Sequence, residues 1–495
     1  VIGAGPNGLV AASWLARAGW RVLVLETAEA PGGAVRSAAL TRPGFVHDLG
    51  AAFFPFGPVS PALVPLDLEG AGLAWRHAPL ESAHPALDGS CASIATDLDR
   101  SAACFGPDGD AWRKLGRWAE RVRDRLVALL CAPLPPLGAA LRFGPLNLLR
   151  LAEVALSSGR GWASRRFRGE AARRVVPALA LHTDIGPDDP CGAAVGWVLA
   201  VLAQTSGFPV PEGGAGAITR ALVRRLEEHG GVVRCRTRVA SVVVREGAAV
   251  AVRTDDGDEL ACTRAVIADV AAPALYLRLL EERWVPGRVR AAMQRFEHGF
   301  GTFKIDWALD GPVPWSHPDA ARAAVVHAGE SLADLSRFVA EVRAGRVPSQ
   351  PYLVVGQQSL ADATRAPAGA HTLWCYSRVP GEIAGGWAAE RERFADVVDA
   401  RIEGLAPGFR ARILERRVSA PPDLEALDEN LVRGDLGGGT ARIGRQLFFR
   451  PIFPYFRYRT PVRRLYLGSS YAHPGAGVHG ACGRNAALAA LRDCG

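Results

Sequence analysis

The sequence predicts an α/β fold organised on a nucleotide-binding βαβ unit at its amino terminus, and three observations predict it. The chain opens with Val1-Ile2-Gly3-Ala4-Gly5-Pro6-Asn7-Gly8, a G-x-G-x-x-G with glycines at 3, 5 and 8. An Ala/Leu-rich helical pattern follows at once (Leu9, Val10, Ala12, Trp14, Leu15, Ala16). A second apolar run, Arg21-Val22-Leu23-Val24-Leu25, ends on Glu26, 18 residues beyond Gly8. Strand, glycines, helix, strand and acid in this order make a Rossmann-type unit.

Each position has a physical role. Gly3 permits the tight turn, Gly5 lets backbone amides approach a pyrophosphate, and Gly8 lets the helix pack close to the strand. Pro6 and Asn7 complete the turn, and the helix start offers unpaired N–H groups and a partial positive charge to phosphate. Glu26, with Thr27 beside it, is placed to accept hydrogen bonds from ribose hydroxyls. A carboxylate there repels a 2′-phosphate and argues against NADP, which leaves NAD and FAD open.

With 495 residues, the chain has room for two or three domains and a large core. A hydrophobic fraction of 49%, a charged fraction of 22% and a mean hydropathy of +0.08 are ordinary for a globular protein. The net charge of +8 is scattered over arginines, with lysine only at 114 and 304, and this argues against a nucleic-acid partner. Nine cysteines without a C-x-x-C pair predict reduced thiols in a cytoplasmic setting and no zinc or other metal site. No signal peptide is visible. Only two strand residues precede Gly3, so a few upstream residues are expected.

Beyond Glu26, Pro31-Gly32-Gly33-Ala34-Val35-Arg36-Ser37 offers backbone that can lie against a diphosphate or flavin, with Arg36 and Ser37 for polar contacts. Then comes Gly44-Phe45-Val46-His47-Asp48-Leu49-Gly50. Together, Glu-x5-Gly-Gly and Gly-Phe-x-x-Asp-Leu-Gly resemble the amine-oxidase/phytoene-desaturase superfamily of FAD flavoproteins. The resemblance implies that the acid binds the adenosine ribose and the glycine doublet lines FAD. It also implies a glutathione-reductase-like FAD-binding domain with an inserted α+β substrate domain. One departure is Ala34, where many members have the arginine that here stands at 36.

Residues 51–110 read as loop-rich, without chemistry. Residues 110–130 predict a helix with Trp112, Leu115, Trp118, Val122, Leu126 and Leu129 on one side and basic residues between. That pattern suits a core stripe with a solvated basic face, or a helix lying on a membrane surface. The apolar stretch 131–165 suits a lid or a lipid-facing mouth. Residues 190–211 carry no charge, but their strongly apolar centre, 193–203, is too short to span a bilayer, and a core or tunnel-lining helix fits better. A helix to His229, short β runs at 232–236, 238–245, 248–254 and 259–263, and the strand ending Ala268-Asp269 return the chain to the nucleotide-binding domain. In the resembled family, backbone near Val239 contacts the adenine. Residues 286–425 alternate helices and strands. Lys304 interrupts a mostly apolar strand in a chain that otherwise uses arginine, and the resemblance suggests a lysine holding a water near flavin N5.

At the carboxy terminus a strand ends at Gly468-Ser469. His473-Pro474-Gly475-Ala476-Gly477-Val478-His479-Gly480 then leads into a helix from Ala481. In phytoene desaturases a strand-Gly followed by His-Pro-Gly-x-Gly packs against the isoalloxazine. That assigns Gly468, Ser469, Pro474, Gly475, Gly477 and Val478 to the cofactor, and His473 and His479, with Lys304, to the polar groups near the flavin. His479, where carotenoid desaturases often have proline, and Gly483-Arg484-Asn485 point to the "phytoene dehydrogenase and related proteins" branch, which includes pyridine-nucleotide-disulphide-oxidoreductase-domain proteins. The implied division is 1–75, 205–285 and 425–495 for the FAD-binding domain and 76–204 and 286–424 for the substrate domain.

The expected function is FAD-dependent dehydrogenation of an apolar, isoprenoid- or polyene-like substrate, with a hydride passing to flavin N5 and a C=C bond forming. Without a separate NAD(P)H domain, the electrons go to oxygen, a quinone or another acceptor, and peripheral membrane contact suits such a substrate. Two alternatives are a flavin amine oxidase, with Tyr471 as a candidate aromatic facing the flavin, and a non-catalytic protein like the GDP-dissociation inhibitors. No residue stands out as a catalytic base.

Overall fold

The computed structural model describes residues 1–495. The amino-terminal run forms the centre of a parallel sheet, where Ile2 bridges Leu25 on one side and Ala268 on the other. Leu23–Leu25 pairs with Val232–Arg234, and Val266–Ala268 pairs with Leu465–Leu467, all parallel. After Leu23–Leu25 the chain therefore leaves this sheet and returns to it three times. The run at 232–236, grouped with the meander in the sequence, contributes Val232–Arg234 to this parallel sheet. The meander has three strands, Val239–Arg245, Ala248–Thr254 and Glu259–Ala261.

The helix Pro6–Arg17 buries Leu9, Val10, Ala11, Ala12 and Leu15. It packs against the final helix, Ala481–Cys494, and against Gly216–Glu228. Small residues permit the close crossing with the final helix: a Cβ on Gly483 would lie 1.9 Å from the Asn7 carbonyl oxygen.

A second sheet has seven strands in the order Ile413–Ser419, Gly301–Leu309, His371–Val379, Leu353–Gly356, Ala323–Ala328, Leu80–Pro85 and Cys91–Ile94. Only the Ala323–Ala328 and Leu80–Pro85 pair is parallel. Its central strands are buried on both faces. Phe303, Ile305, Trp307, Leu373 and Cys375 share a core with the helix Trp387–Leu405. Trp374 and Tyr376 point the other way, into a core with the helices Gly109–Leu130, Glu170–Ala180 and Ala193–Thr205.

The helix Gly109–Leu130 places Trp112, Trp118, Val122 and Leu126 in that core and exposes Lys114, Arg117, Arg121 and Arg125. Its apolar stripe is already covered by protein, so this helix does not present it to a membrane. No helix is long and apolar enough to cross a membrane. Residues 51–110, read as loops, supply two strands of the second sheet. All nine cysteines are unpaired.

Candidate functional site

A cavity of about 540 Å³ joins the two glycine-rich turns to the interior of the second sheet. Gly5, Pro6 and Asn7 line one end, and Ser469, Pro474, Gly477, Val478 and His479 line the wall next to it. From there the cavity passes Val195, Val198 and Leu199 of the helix Ala193–Thr205, then Phe208, Val325 and Val354. This size and apolar lining suit a small-molecule site, which typically occupies roughly 300–1,000 Å³.

The amino-terminal turn is built for close approach. Gly3 takes φ +89°, and a Cβ on Gly8 would lie 2.2 Å from the Gly3 carbonyl oxygen. Pro6 occupies the first helical turn and no side chain caps it, leaving its backbone available to an anion. The buried Asn7 Oδ1 has no protein partner. Glu26 accepts from the Ala4 N–H at 2.7 Å and the Ala28 N–H at 2.8 Å, which fixes the carboxylate beside the turn. The segment leading to Val239 runs alongside, with the Thr237 N–H bonded to the Glu26 carbonyl. Thr27 is exposed. Gly32 and Gly33 both have positive φ, and a Cβ on Gly33 would lie 3.2 Å from the Gly5 Cα. The doublet therefore rests against the first turn. These cradles fit a dinucleotide whose diphosphate meets backbone rather than side chains.

Arg36 and Ser37 have structural partners. Arg36 donates to the Gly33 and Leu427 carbonyls, and Ser37 donates to Asp48 at 2.7 Å. Gly468 is pressed against the final helix, with a Cβ there 3.3 Å from that of Ala486.

Asp269 was not singled out in the sequence. It lines the cavity, and its Oδ2 accepts from the Gly8 N–H at 2.7 Å. Burial is the main cause that raises its pKa to about 8, with the Asp428 and Glu26 carboxylates adding to it and the Gly8 N–H opposing it. At neutral pH the group is therefore largely protonated and places little charge beside a pyrophosphate. Because the folded pKa lies above the unfolded value, the folded state takes up a proton between about pH 4 and pH 8. Stability contributed by this site is full below that window and is lost as the pH rises through it. Asp269→Asn is expected to flatten both the alkaline loss of stability and the alkaline loss of dinucleotide affinity. Thermal melts and binding titrations at pH 6 and 9 check this, and an unchanged pH dependence would contradict it.

His473 and His479 are both neutral. Burial pushes each down to about 4, helped for His473 by Arg450 and for His479 by His473. His479 Nδ1 accepts from the Ala481 N–H at 3.0 Å, so its proton is assigned to Nε2, which has no protein partner. Beside them, buried Arg450 donates to the Gly437, Gly438 and Ser470 carbonyls and has no carboxylate bonded to it. Gly475 lies against its guanidinium, a Cβ there being 2.9 Å from the Arg450 Cζ.

Lys304 requires a correction. Register sets it opposite Tyr376, on the strand next to the cavity wall. Its ammonium, however, bonds to Asp306, itself within 3.7 Å of His47, and Lys304 is not among the lining residues. A cation paired in this way is not presented to a water in the cavity. Tyr471 is also withheld, since its ring packs on Phe296 and His298 and its hydroxyl donates to the Asn430 carbonyl. Arg450, Trp374, Tyr376, Arg378 and His182 line the cavity instead and went unnoticed in the sequence.

The chain is similar to known proteins along its whole length. The family described as flavin-containing amine oxidoreductase matches residues 151–490, and an NAD(P)-binding Rossmann-like domain matches residues 1–65. Pyridine nucleotide-disulfide oxidoreductase domain-containing protein 2 of Mus musculus is 29% identical, covering 100% of this chain and 93% of its own. The phytoene desaturase (lycopene-forming) of Pseudescherichia vulneris is 26% identical, covering 99% of this chain and 98% of its own. Among solved structures, an oxidoreductase from Methanosarcina mazei shares the fold with a TM-score of 0.65 at 18% identity, covering 99% of both chains. Putrescine oxidase bound to putrescine does so with a TM-score of 0.63 at 19% identity, covering 99% of this chain and 98% of its own. The glycine-rich cradles, the cavity joining them and the family match over residues 151–490 lead to one conclusion: the chain belongs to the flavin-containing amine oxidoreductase family and is an FAD-dependent oxidoreductase.

Proposed function

We propose that this oxidoreductase dehydrogenates an apolar, isoprenoid- or polyene-like substrate with formation of a C=C bond. One observation carries the reading: a single cavity runs from both glycine-rich turns into a chamber walled by valine, leucine and phenylalanine. FAD, when bound, supplies the hydride acceptor. Residues 1–75, 205–285 and 425–495 hold it, with Gly3, Gly5, Gly8, Glu26, Gly32 and Gly33 around the ADP half. Ser469, Pro474, Gly475, Gly477 and Val478 lie around the reactive half. Residues 76–204 and 286–424 form the substrate chamber, which orients the reacting bond and excludes bulk water. His479 offers a neutral N–H beside the flavin wall, and Arg450 offers a fixed positive charge there. The electrons then pass to oxygen, a quinone or another acceptor. The test is product analysis after incubation with polyene and isoprenoid candidates. Loss of two hydrogens with a new double bond supports the reading, and conversion of amines alone would overturn it.

Oxidation of an amine is the second reading. It draws on Trp374 and Tyr376, whose rings meet edge to face at 5.0 Å in the cavity. Arg378 and Arg450 line the same space, and so do Asp184, Asp269, Asp428 and Asp435, so the charge of the lining does not separate the two readings.

An apolar substrate also suits delivery from a lipid surface. Leu137, Leu141, Leu146, Leu149 and Leu156 are exposed, Leu141 by 82%, with Arg142 and Arg150 exposed among them. The helix carrying Leu146 and Leu149 packs on the cavity-lining helix Ala193–Thr205. Each leucine that enters an apolar phase gains up to about 1.5–3 kcal/mol. The protein is expected to cosediment with vesicles containing anionic lipid, and a Leu141→Ser, Leu146→Ser, Leu149→Ser variant is expected to stay in solution. Equal partitioning of the two would remove this surface from the account.

A further inference from the structure

We propose that Tyr376 and His182 form the proton-accepting face of a buried relay that takes up the proton lost by the substrate. The inference rests on the dehydrogenation proposed above, which needs a proton acceptor as well as a hydride acceptor. Both side chains line the cavity. Tyr376 Oη and His182 Nδ1 are 3.0 Å apart, and His182 Nε2 and His327 Nε2 are 2.8 Å apart. His327 Nδ1 reaches Ser82 Oγ at 3.0 Å, and Ser82 Oγ reaches His84 Nε2 at 3.0 Å. Ser82, His84 and His327 are buried, the two imidazoles stack at 4.6 Å, and the series stops at His84 Nδ1, which has no partner.

The series is unbroken, and each interior member can both donate and accept. A neutral imidazole has one donor and one acceptor nitrogen. The three bonds from Tyr376 through His182 and His327 to Ser82 must therefore run in one direction, and the single Ser82 hydroxyl proton extends that direction to His84 Nε2 when it points there; reversing the direction moves one proton across every link. The surrounding groups keep the imidazoles neutral. Arg378 donates to the His182 carbonyl, and its guanidinium lies 5.0 Å from the centre of the Tyr376 ring. Arg174 donates to the His84 carbonyl at 2.6 Å. Tyr352 lies alongside His327 but gives its hydroxyl proton to the Ala178 carbonyl, and Lys304, opposite Tyr376, is tied to Asp306. No carboxylate bonds to any of the three rings. Burial and then these neighbours hold His84 and His327 well below the ordinary range and His182 at about 3. The neutral ring is the form that can accept a proton.

The step balances. A C–H bond breaks and its electron pair leaves as hydride to the flavin. The proton on the adjacent carbon passes to Tyr376 Oη, and the phenolic proton moves to His182 Nδ1. The Nε2 proton of His182 moves to His327, the Nδ1 proton of His327 moves to Ser82, and the Ser82 hydroxyl proton moves to His84 Nε2. The extra proton reaches His84, where burial and Arg174 oppose a lasting charge, so it is held there only transiently while the negative charge of the hydride resides on the cofactor. The proton returns through the same series to the cavity when the electron acceptor takes it with the electrons.

The test uses holoenzyme labelled with ¹⁵N-histidine. Tyr376→Phe is expected to change the His84 ring signals, four hydrogen bonds away, and to slow anaerobic flavin reduction by about 100-fold or more. Ser82→Ala cuts the series midway and is expected to uncouple His84 from Tyr376 and reduce the number of protons seen in the solvent-isotope dependence. Tyr352→Phe, which touches His327 from outside the series, is expected to leave both readouts unchanged. Slower reduction with unmoved His84 signals would make Tyr376 a substrate-positioning residue and overturn the relay. Equal reduction rates in wild type and both relay variants would overturn the relay alone, whereas a wild-type flavin that no apolar substrate reduces would overturn the dehydrogenation itself.

Discussion

Gly483→Val is expected to abolish FAD binding and to lower the melting temperature sharply. The residue lies where the final helix crosses the amino-terminal helix, and even a Cβ would stand 1.9 Å from the Asn7 carbonyl oxygen. The obstacle is backbone, so no side-chain rotation relieves it. Asn7 belongs to the turn that faces the cavity, and any shift of the helix moves that turn away from the diphosphate. Forcing extra atoms into a packed crossing typically costs about 1–3 kcal/mol, more where backbone must move. Flavin content after purification and a melting curve check the result. A yellow protein with wild-type stability would show that the crossing is looser than described.

Arg365→Met is expected to destabilise the protein by about 3–5 kcal/mol, because it leaves two buried carboxylates without their cation. Arg365 is fully buried and donates to Asp48 and to Asp362, each at 2.9 Å, and to the Pro211 carbonyl at 3.1 Å. Asp48 also accepts from Ser37 and from the Ala215 N–H, and Asp362 accepts from the Gly213 N–H. The arginine thus ties the segment after the glycine doublet to the turn that starts the helix Gly216–Glu228. In the variant the Asp362 carboxylate loses the Arg365 hydrogen bond that helps to hold its pKa down, so the stability gap to wild type should narrow as the pH falls. Denaturant titrations at pH 5 and 8 measure it, and a loss below about 1 kcal/mol at both would contradict the buried-pair account.

The glycine cradles were legible in the sequence because close approach is carried by backbone. Close approach demands glycine at fixed spacing, and Gly3, Gly5, Gly8 and the doublet at 32–33 all show it. The far side of the cavity was not legible, because its residues meet across the second sheet. His182 and His327 lie 145 residues apart, and Ser82 and His327 lie 245 apart, so no local pattern links them. Asp269 looked like the end of a buried strand, and only the fold brings its carboxylate to the Gly8 amide. Lys304 shows the opposite failure. Its rarity drew attention to it as a polar group for the cavity, yet Asp306, two residues on and hence on the same face of the strand, already named its partner. The basic helix at 109–130 kept two readings open because a solvated face and a lipid face share one periodicity. Burial of Trp112 and Trp118 decides between them.

In the proposed reaction an apolar compound delivers its hydride to FAD in the cavity between the two glycine-rich turns. Anaerobic mixing of the purified holoenzyme with polyene, isoprenoid and amine candidates, while following the visible flavin band, tests it most directly. Bleaching by a member of the first two classes, and none by amines, is expected. A flavin bleached rapidly by amines and untouched by every apolar compound, or a purified protein that releases no FAD on denaturation, would contradict it.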